Sequence, residues 1–118
     1  MKIHLLILSD RVTEKGIQAQ ALNAPSLAHI NPKCRLHPTF QALWARDTAR
    51  LGEDFTVITH SEAIVNTLCE METRGLLPRN TLEITLLKTD TESVRGILGE
   101  DGMVRGWVPG VLVPRNIL

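Results

Sequence analysis

Apolar positions in this chain fall into short runs broken by polar, glycine- and proline-containing stretches, and their period changes along the sequence. Ile3-His4-Leu5-Leu6-Ile7-Leu8 is a nearly continuous apolar run and predicts a buried strand of the parallel-sheet kind. Residues 9–16 read as a polar loop, and residues 17–22 as one or two helical turns stopped by Asn23-Ala24-Pro25. Leu27-Ala28-His29-Ile30 reads as a second short strand. Pro38 suits a first helical position, where its missing N–H costs nothing. Phe40, Leu43, Trp44 and Leu51 then recur at helical spacing as the expected apolar face, with Arg46, Asp47 and Arg50 on the remainder and Gly52 as the stop.

Phe55-Thr56-Val57-Ile58-Thr59 is the clearest strand: short, β-branched and flanked by polar residues. Ser61 is placed to cap the next helix, with Glu62 in its first turn, Ile64, Val65, Leu68 and Met71 on one face, and Gly75 as its end. Beyond Pro78 the period becomes two, with Leu82, Ile84 and Leu86 alternating with Glu83 and Thr85. Residues 93–98 read as another strand, Glu100-Asp101-Gly102 as a hairpin turn, and residues 103–108 as its return. The predicted architecture is one α/β domain over residues 1–118. A small parallel-core sheet with flanking helices and right-handed crossovers is followed by antiparallel strands, a hairpin or meander at an edge.

Composition narrows the function classes. A chain of 118 residues holds one domain, and 43% hydrophobic with 22% charged residues is an ordinary globular balance. A formal net charge of zero argues against a strongly basic nucleic-acid surface, although Arg11, Lys15, Arg46 and Arg50 could gather locally. Aromatic content of 3%, with no Tyr, argues against a base-stacking platform. The apolar run at the N-terminus is too short to span a bilayer, and no signal peptide is read; a cytoplasmic protein with free thiols is expected. Cys34 and Cys69 fit no zinc spacing, and buried structural cysteine is the default for both.

One stretch is more specific. Asn31-Pro32-Lys33-Cys34-Arg35-Leu36-His37-Pro38 resembles the segment after the Walker B strand in ABC-type ATPases of the overcoming-lysogenization-defect and RecF-like group. Those proteins read Glu-Glu-Pro-Glu, two more residues, Leu-His-Pro, and then a helix carrying Gln. Pro32, Leu36, His37, Pro38 and Gln41 hold the matching positions. Val57-Ile58-Thr59-His60-Ser61-Glu62 resembles the switch-histidine strand and loop of the same group. The stretch from Gly102 through Trp107 to Gly110 resembles the terminal element of its DUF3696 subset. The resemblance covers roughly residues 26–114 and implies a P-loop-NTPase-like fold, truncated to the C-terminal half of an ABC-type head.

The departures from that pattern bear on chemistry. No Gly-x-x-x-x-Gly-Lys-Ser/Thr loop is present to cradle phosphates and magnesium, and no signature motif is recognisable. Ile30 stands at the Walker B Asp position and cannot ligate magnesium. Asn31 stands at the catalytic Glu position, where it can hydrogen-bond a water but cannot act as a base. His60 alone keeps a catalytic position. His60 and Asn31 are therefore candidates for a residual nucleotide contact, set against the plainer reading of His60 as a polar strand-end residue. No catalytic residue, metal or cofactor is assigned.

Other readings are weighed beside these. His37 suits a capping or packing role at its helix start; a zinc site of His29, His37 and His60 has no supporting spacing. Ser61 directly after His60 is poor geometry for a nucleophile and its base. An ion pair of Glu62 with Arg46 or Arg50 would contribute little if exposed. Trp107, Trp44, Arg46 and Arg50 are candidate interface residues. Retained shape with lost chemistry points to a catalytically inactive binding module that modulates or inhibits an ABC-type ATPase or its nuclease partner, of a kind suited to a phage or mobile element acting on a defence or repair ATPase. The alternatives are one half of a split ATP-binding protein and a self-associating domain that forms homodimers. Direct nucleic-acid or membrane partners are not expected.

Overall fold

The computed structural model describes residues 1–102 and 104–105 as a mixed six-stranded sheet flanked by three helices. The elements are β1 (Ile3–Leu8), α1 (Glu14–Leu22), β2 (Leu27–Ile30), α2 (Pro38–Arg50), β3 (Phe55–Thr59), α3 (Glu62–Thr73), β4 (Leu82–Leu87), β5 (Ser93–Leu98) and β6 (Val104–Arg105). Strand order is β2-β3-β1-β4-β5-β6. β2, β3, β1 and β4 run parallel, and β5 and β6 are antiparallel.

The path explains the layers. From β1 the chain moves outward to β2, then returns through β3 and crosses β1 to reach β4. Right-handed connections put α1 on one face and α2 and α3 on the other. The buried clusters agree. Ile3, Leu5, Ile7, Phe55 and Val57 pack beneath Ala45 and Ala49 of α2 and beneath Ile64, Val65 and Leu68 of α3. Leu6, Leu8, Ile58 and Leu87 pack beneath Ile17 of α1. β1 and β3 are covered on both sides, which is why their sequences are apolar almost throughout rather than alternating.

Helix ends follow local chemistry. Thr13 caps α1, His37 caps α2 just before Pro38, and Ser61 caps α3. Gly52 and Gly75 follow α2 and α3 with φ of 75° and 77°, the left-handed conformation that glycine adopts without Cβ strain.

Four expectations are corrected. α1 starts at Glu14, inside the stretch read as a loop, because Thr13 supplies the cap. β4 is not part of the antiparallel edge: it pairs parallel with β1, Ile3 against Leu82 through Leu8 against Leu87. Its period-two pattern arises because Leu82, Glu83 and Thr85 are only partly covered. The core side of α2 is formed by Gln41, Ala45 and Ala49, while Phe40, Leu43 and Leu51 are exposed and Trp44 is half-buried. Finally, only Cys69 is buried; Cys34 is exposed. Residues 106–110, including Trp107, lie outside the described residues. Among the described residues, no helix is long and apolar enough to cross a membrane.

Candidate functional site

Parallel strands gather the loops that follow them on one edge of a sheet, and crevices at that edge are the usual ligand sites of open α/β folds. Here the C-terminal ends of β2 and β3 frame a cleft of about 360 Å³ lined by Asn31, Cys34, Gln41, Thr59, His60 and Ser61.

β2 and β3 pair in register from Leu27 against Phe55 to Ile30 against Ile58. The ladder continues one step further, as the Asn31 N–H donates to the Ile58 carbonyl at 2.7 Å. Asn31 then turns the chain with φ of 42°, in the left-handed region that Asn tolerates better than most residues. Its side-chain Oδ1 accepts the His60 backbone N–H at 3.1 Å. The two residues singled out from sequence thus sit side by side. The His60 side chain is exposed, and its imidazole makes no hydrogen bond to the described residues.

The cleft wall is braced by polar side chains. Gln41, buried in the first turn of α2, donates from Nε2 to the Leu36 carbonyl at 3.0 Å and accepts from the Ser61 hydroxyl through Oε1. The Ser61 hydroxyl also accepts the Ile64 N–H at 3.2 Å as the cap of α3, and its backbone N–H donates to Thr59 Oγ1 at 2.8 Å. Ser61 has therefore committed its one proton to an amide oxygen, and His60 is not its partner. These bonds tie the loop after β2, the start of α2 and the start of α3 together.

The other predicted residues lie apart. His37 Nδ1 accepts the Thr39 N–H at 3.1 Å, a capping role. His29 packs against Trp44 with ring centres 5.1 Å apart, and both pack against Phe55. Among the described residues, no cluster of three or more His, Cys, Asp or Glu is placed to hold a metal. Among the described residues, Arg46 pairs with its neighbour Asp47 at 3.1 Å rather than with Glu62. Arg50 is exposed at the end of α2.

Sequence reasoning missed the second feature of this edge. After β1 the chain turns through Ser9, whose hydroxyl donates to the Lys88 carbonyl at 2.6 Å, and enters α1 at Thr13. Asp90, in the turn between β4 and β5, accepts the Thr13 N–H at 2.6 Å and the Thr13 hydroxyl as well. These bonds to Thr13, with Lys15 nearby, hold the Asp90 carboxyl below its ordinary 3.8. A Cβ on Gly16 would lie 2.3 Å from Asp90 Oδ1, so the absence of a side chain there is what admits the carboxylate. The chain's own Asp90 thus sits at the start of α1, where the helix dipole favours an anion, held by the cap residue Thr13. A contact spanning 77 positions leaves no local signal in the sequence.

Comparison with family models, with curated proteins and with solved structures found no match to this chain. The resemblance to ABC-type heads therefore rests on the residues quoted above.

Proposed function

We propose that this chain is a catalytically inactive ATPase-like module that acts by binding an ABC-type ATPase or a nuclease subunit associated with one. The observation that carries the reading is the coexistence of Asn31 beside His60 with Asp90 in the start of α1.

In an active head, the water-orienting residue and the switch histidine must face the same γ-phosphate, so the strands bearing them must end side by side. The pairing of β2 with β3 and the 3.1 Å bond from His60 to Asn31 support that correspondence. The loop after β1 opens at the same edge, in the position a phosphate cradle would need. Its helix start already holds a carboxylate, and a second anion there would meet Asp90 at close range. Ile30 offers no metal ligand and Asn31 no base. The shape of the edge is kept while its phosphate chemistry is blocked, which suits occupation of a partner head's surface rather than turnover. Nuclease and nucleotide chemistry belong in this reading to the partner.

Two measurements test it. Titration of magnesium–ATP into the protein followed by calorimetry is expected to give no saturable heat, and wild type and His60→Ala are expected to be equally inactive. Magnesium-dependent turnover abolished by His60→Ala would overturn the inactive assignment. Capture of the tagged protein from its host's lysate is expected to recover an ABC-type ATPase or its nuclease. Recovery of neither would sink the partner assignment.

A further inference from the structure

We infer that the cleft at the ends of β2 and β3 is a pocket for a carboxylate, and that in the complex it receives an acidic side chain of the protein partner. The identity of the partner rests on the function proposed above; the chemistry of the pocket does not.

The uncommitted polar groups that line the cleft are mostly donors, and their orientations follow from unambiguous partners. The His60 backbone N–H can only donate, so Asn31 must turn its Oδ1 toward it. This leaves Asn31 Nδ2 with two N–H groups and no acceptor among the described residues. The Leu36 carbonyl can only accept, which fixes Gln41 in the same way. One Nε2 proton is committed to that carbonyl at 3.0 Å, Oε1 is taken by the Ser61 hydroxyl, and the second Nε2 proton is free. Thr59 is 1% exposed; its hydroxyl accepts the Ser61 N–H at 2.8 Å, and its own proton has no acceptor among the described residues. Buried hydroxyl groups are normally satisfied, so this proton is available to a ligand in the cleft. The exposed His60 ring carries a donor in every protonation state. These groups surround one space of about 360 Å³, and no Asp or Glu is among its lining residues.

The charge of the surroundings selects the acceptor. α3 is capped by Ser61, which lines the cleft, so the positive end of the helix dipole lies there. Lys33 and Arg35 flank Cys34 in the loop after β2, are exposed, and make no ion pair among the described residues. They draw an anion toward the cleft. Neither lines it, so a doubly charged phosphate would enter without a full countercharge, whereas a carboxylate's single charge is met by two or three N–H or O–H donors. A neutral carbonyl would bring one oxygen and gain nothing from the field. Asp and Glu side chains bring two acceptor oxygens on a short arm, which matches several donors converging on one space.

Amide-detected NMR of the full chain, titrated with sodium acetate against sodium chloride at equal ionic strength, is the test. Saturable shifts are expected at the Asn31 and Gln41 side-chain amides and at the backbone amides of His60 and Ser61, with inorganic phosphate binding there more weakly. Asn31→Asp keeps an oxygen for the His60 N–H and replaces the donor by a like charge. Its acetate affinity is expected to fall about tenfold or more while the thermal melt stays in place. Thr59→Val, of the same shape without the hydroxyl, gives a second reading in the same direction. Acetate shifts that do not saturate, that spread over Lys and Arg residues elsewhere, or that survive both variants would overturn the inference, as would phosphate binding more tightly than acetate. Recovery of the ATPase or nuclease by tagged Asn31→Asp is expected to fall with its acetate affinity, and unchanged recovery would overturn the assignment of the carboxylate to the partner. Acetate binding by a protein that captures neither would sink the proposed function and leave the carboxylate pocket standing; capture without acetate binding would do the reverse.

Discussion

Replacing Gln41 by Leu isolates the hydrogen bonding that braces the cleft. The two side chains are close in volume, so the change removes an acceptor and a donor with little alteration of packing against α3. Two bonds are lost, one to the Leu36 carbonyl at 3.0 Å and one from the Ser61 hydroxyl. A net contribution of about 1 kcal/mol for each gives about 2 kcal/mol of destabilisation. The Leu36 side is exposed, so its carbonyl can turn to water, and this holds the value well below the cost of stranding a buried charge. For a domain of this size, about 2 kcal/mol corresponds to a fall in Tm of roughly 8 °C.

Urea unfolding followed by far-UV circular dichroism reads this directly, with the midpoint falling and the slope unchanged because the surface exposed on unfolding is nearly the same. Gln41→Glu provides a sharper check. An ionised carboxylate can still accept from Ser61, but it cannot donate to Leu36 and would face that carbonyl with like charge. The protonated acid can do both. The folded-state pKa of the new Glu is therefore raised, and the variant should gain stability relative to wild type as pH falls through that value. A Gln41→Leu protein within about 0.5 kcal/mol of wild type, the usual scatter of surface changes, would refute the bracing role.

Three further outcomes are expected. Gly96→Ala should destabilise by about 1–3 kcal/mol in the same urea assay, because its Cβ would lie 2.6 Å from Ile84 Cγ2 and 3.3 Å from Val104 Cγ1. Asp90 has a lowered pKa through its bonds to Thr13, so its stabilisation is present above the ordinary carboxyl value and is lost as pH falls through the lowered one; Asp90→Asn should therefore flatten the acid limb of a stability–pH curve below about pH 4. Burial pushes the Cys69 thiol up to about 12, with Glu72 and Glu70 adding to the effect, whereas Cys34 is exposed. A disulfide reagent at neutral pH should therefore titrate one thiol quickly and the second only on unfolding, and Cys34→Ser should abolish the fast phase.

The strands that were legible in the sequence were those whose environment imposes one pattern. β1 and β3 are covered on both faces and carry uninterrupted apolar runs, and β3 was bounded by sequence reasoning at the residues the fold uses. The caps of α2 and α3 were legible because Pro38 and Ser61 act within a turn of their own positions. Orientation was not legible for β4, since period-two alternation reports unequal coverage of two faces and says nothing about the direction of a neighbour. On α2 the apolar stripe and the buried stripe differ. Ala45 and Ala49 let the helix approach α3 and the sheet closely, and hydrophobicity alone ranks those alanines below Phe40 and Leu51. At the cleft, Asn31 and His60 were each singled out from sequence, but the bond between them needed the fold, as did the link from Gln41, noted only as a matching position, to Ser61.

The start of α1 separates loss of catalysis from loss of binding. Ile30 and Asn31 alone would leave an edge able to hold a nucleotide without hydrolysing it, because phosphate affinity comes largely from amide donors at a helix start. Here the cap residue Thr13 gives its N–H and hydroxyl to a carboxylate fixed in the same chain. An intramolecular anion needs no association entropy, so a free phosphate must displace it before gaining anything, and must do so beside its negative charge. Gly16 makes the point from the opposite direction. The space that a Cβ on Gly16 would take is occupied by Asp90, and Thr13 donates both its N–H and its hydroxyl to that carboxylate. The two features lie on different elements, at the end of β2 and the start of α1, and under the proposed reading each would count against a different requirement of nucleotide chemistry. On the proposed reading, these two features together are the reason contact with another protein, rather than nucleotide turnover, is the expected use of the cleft edge.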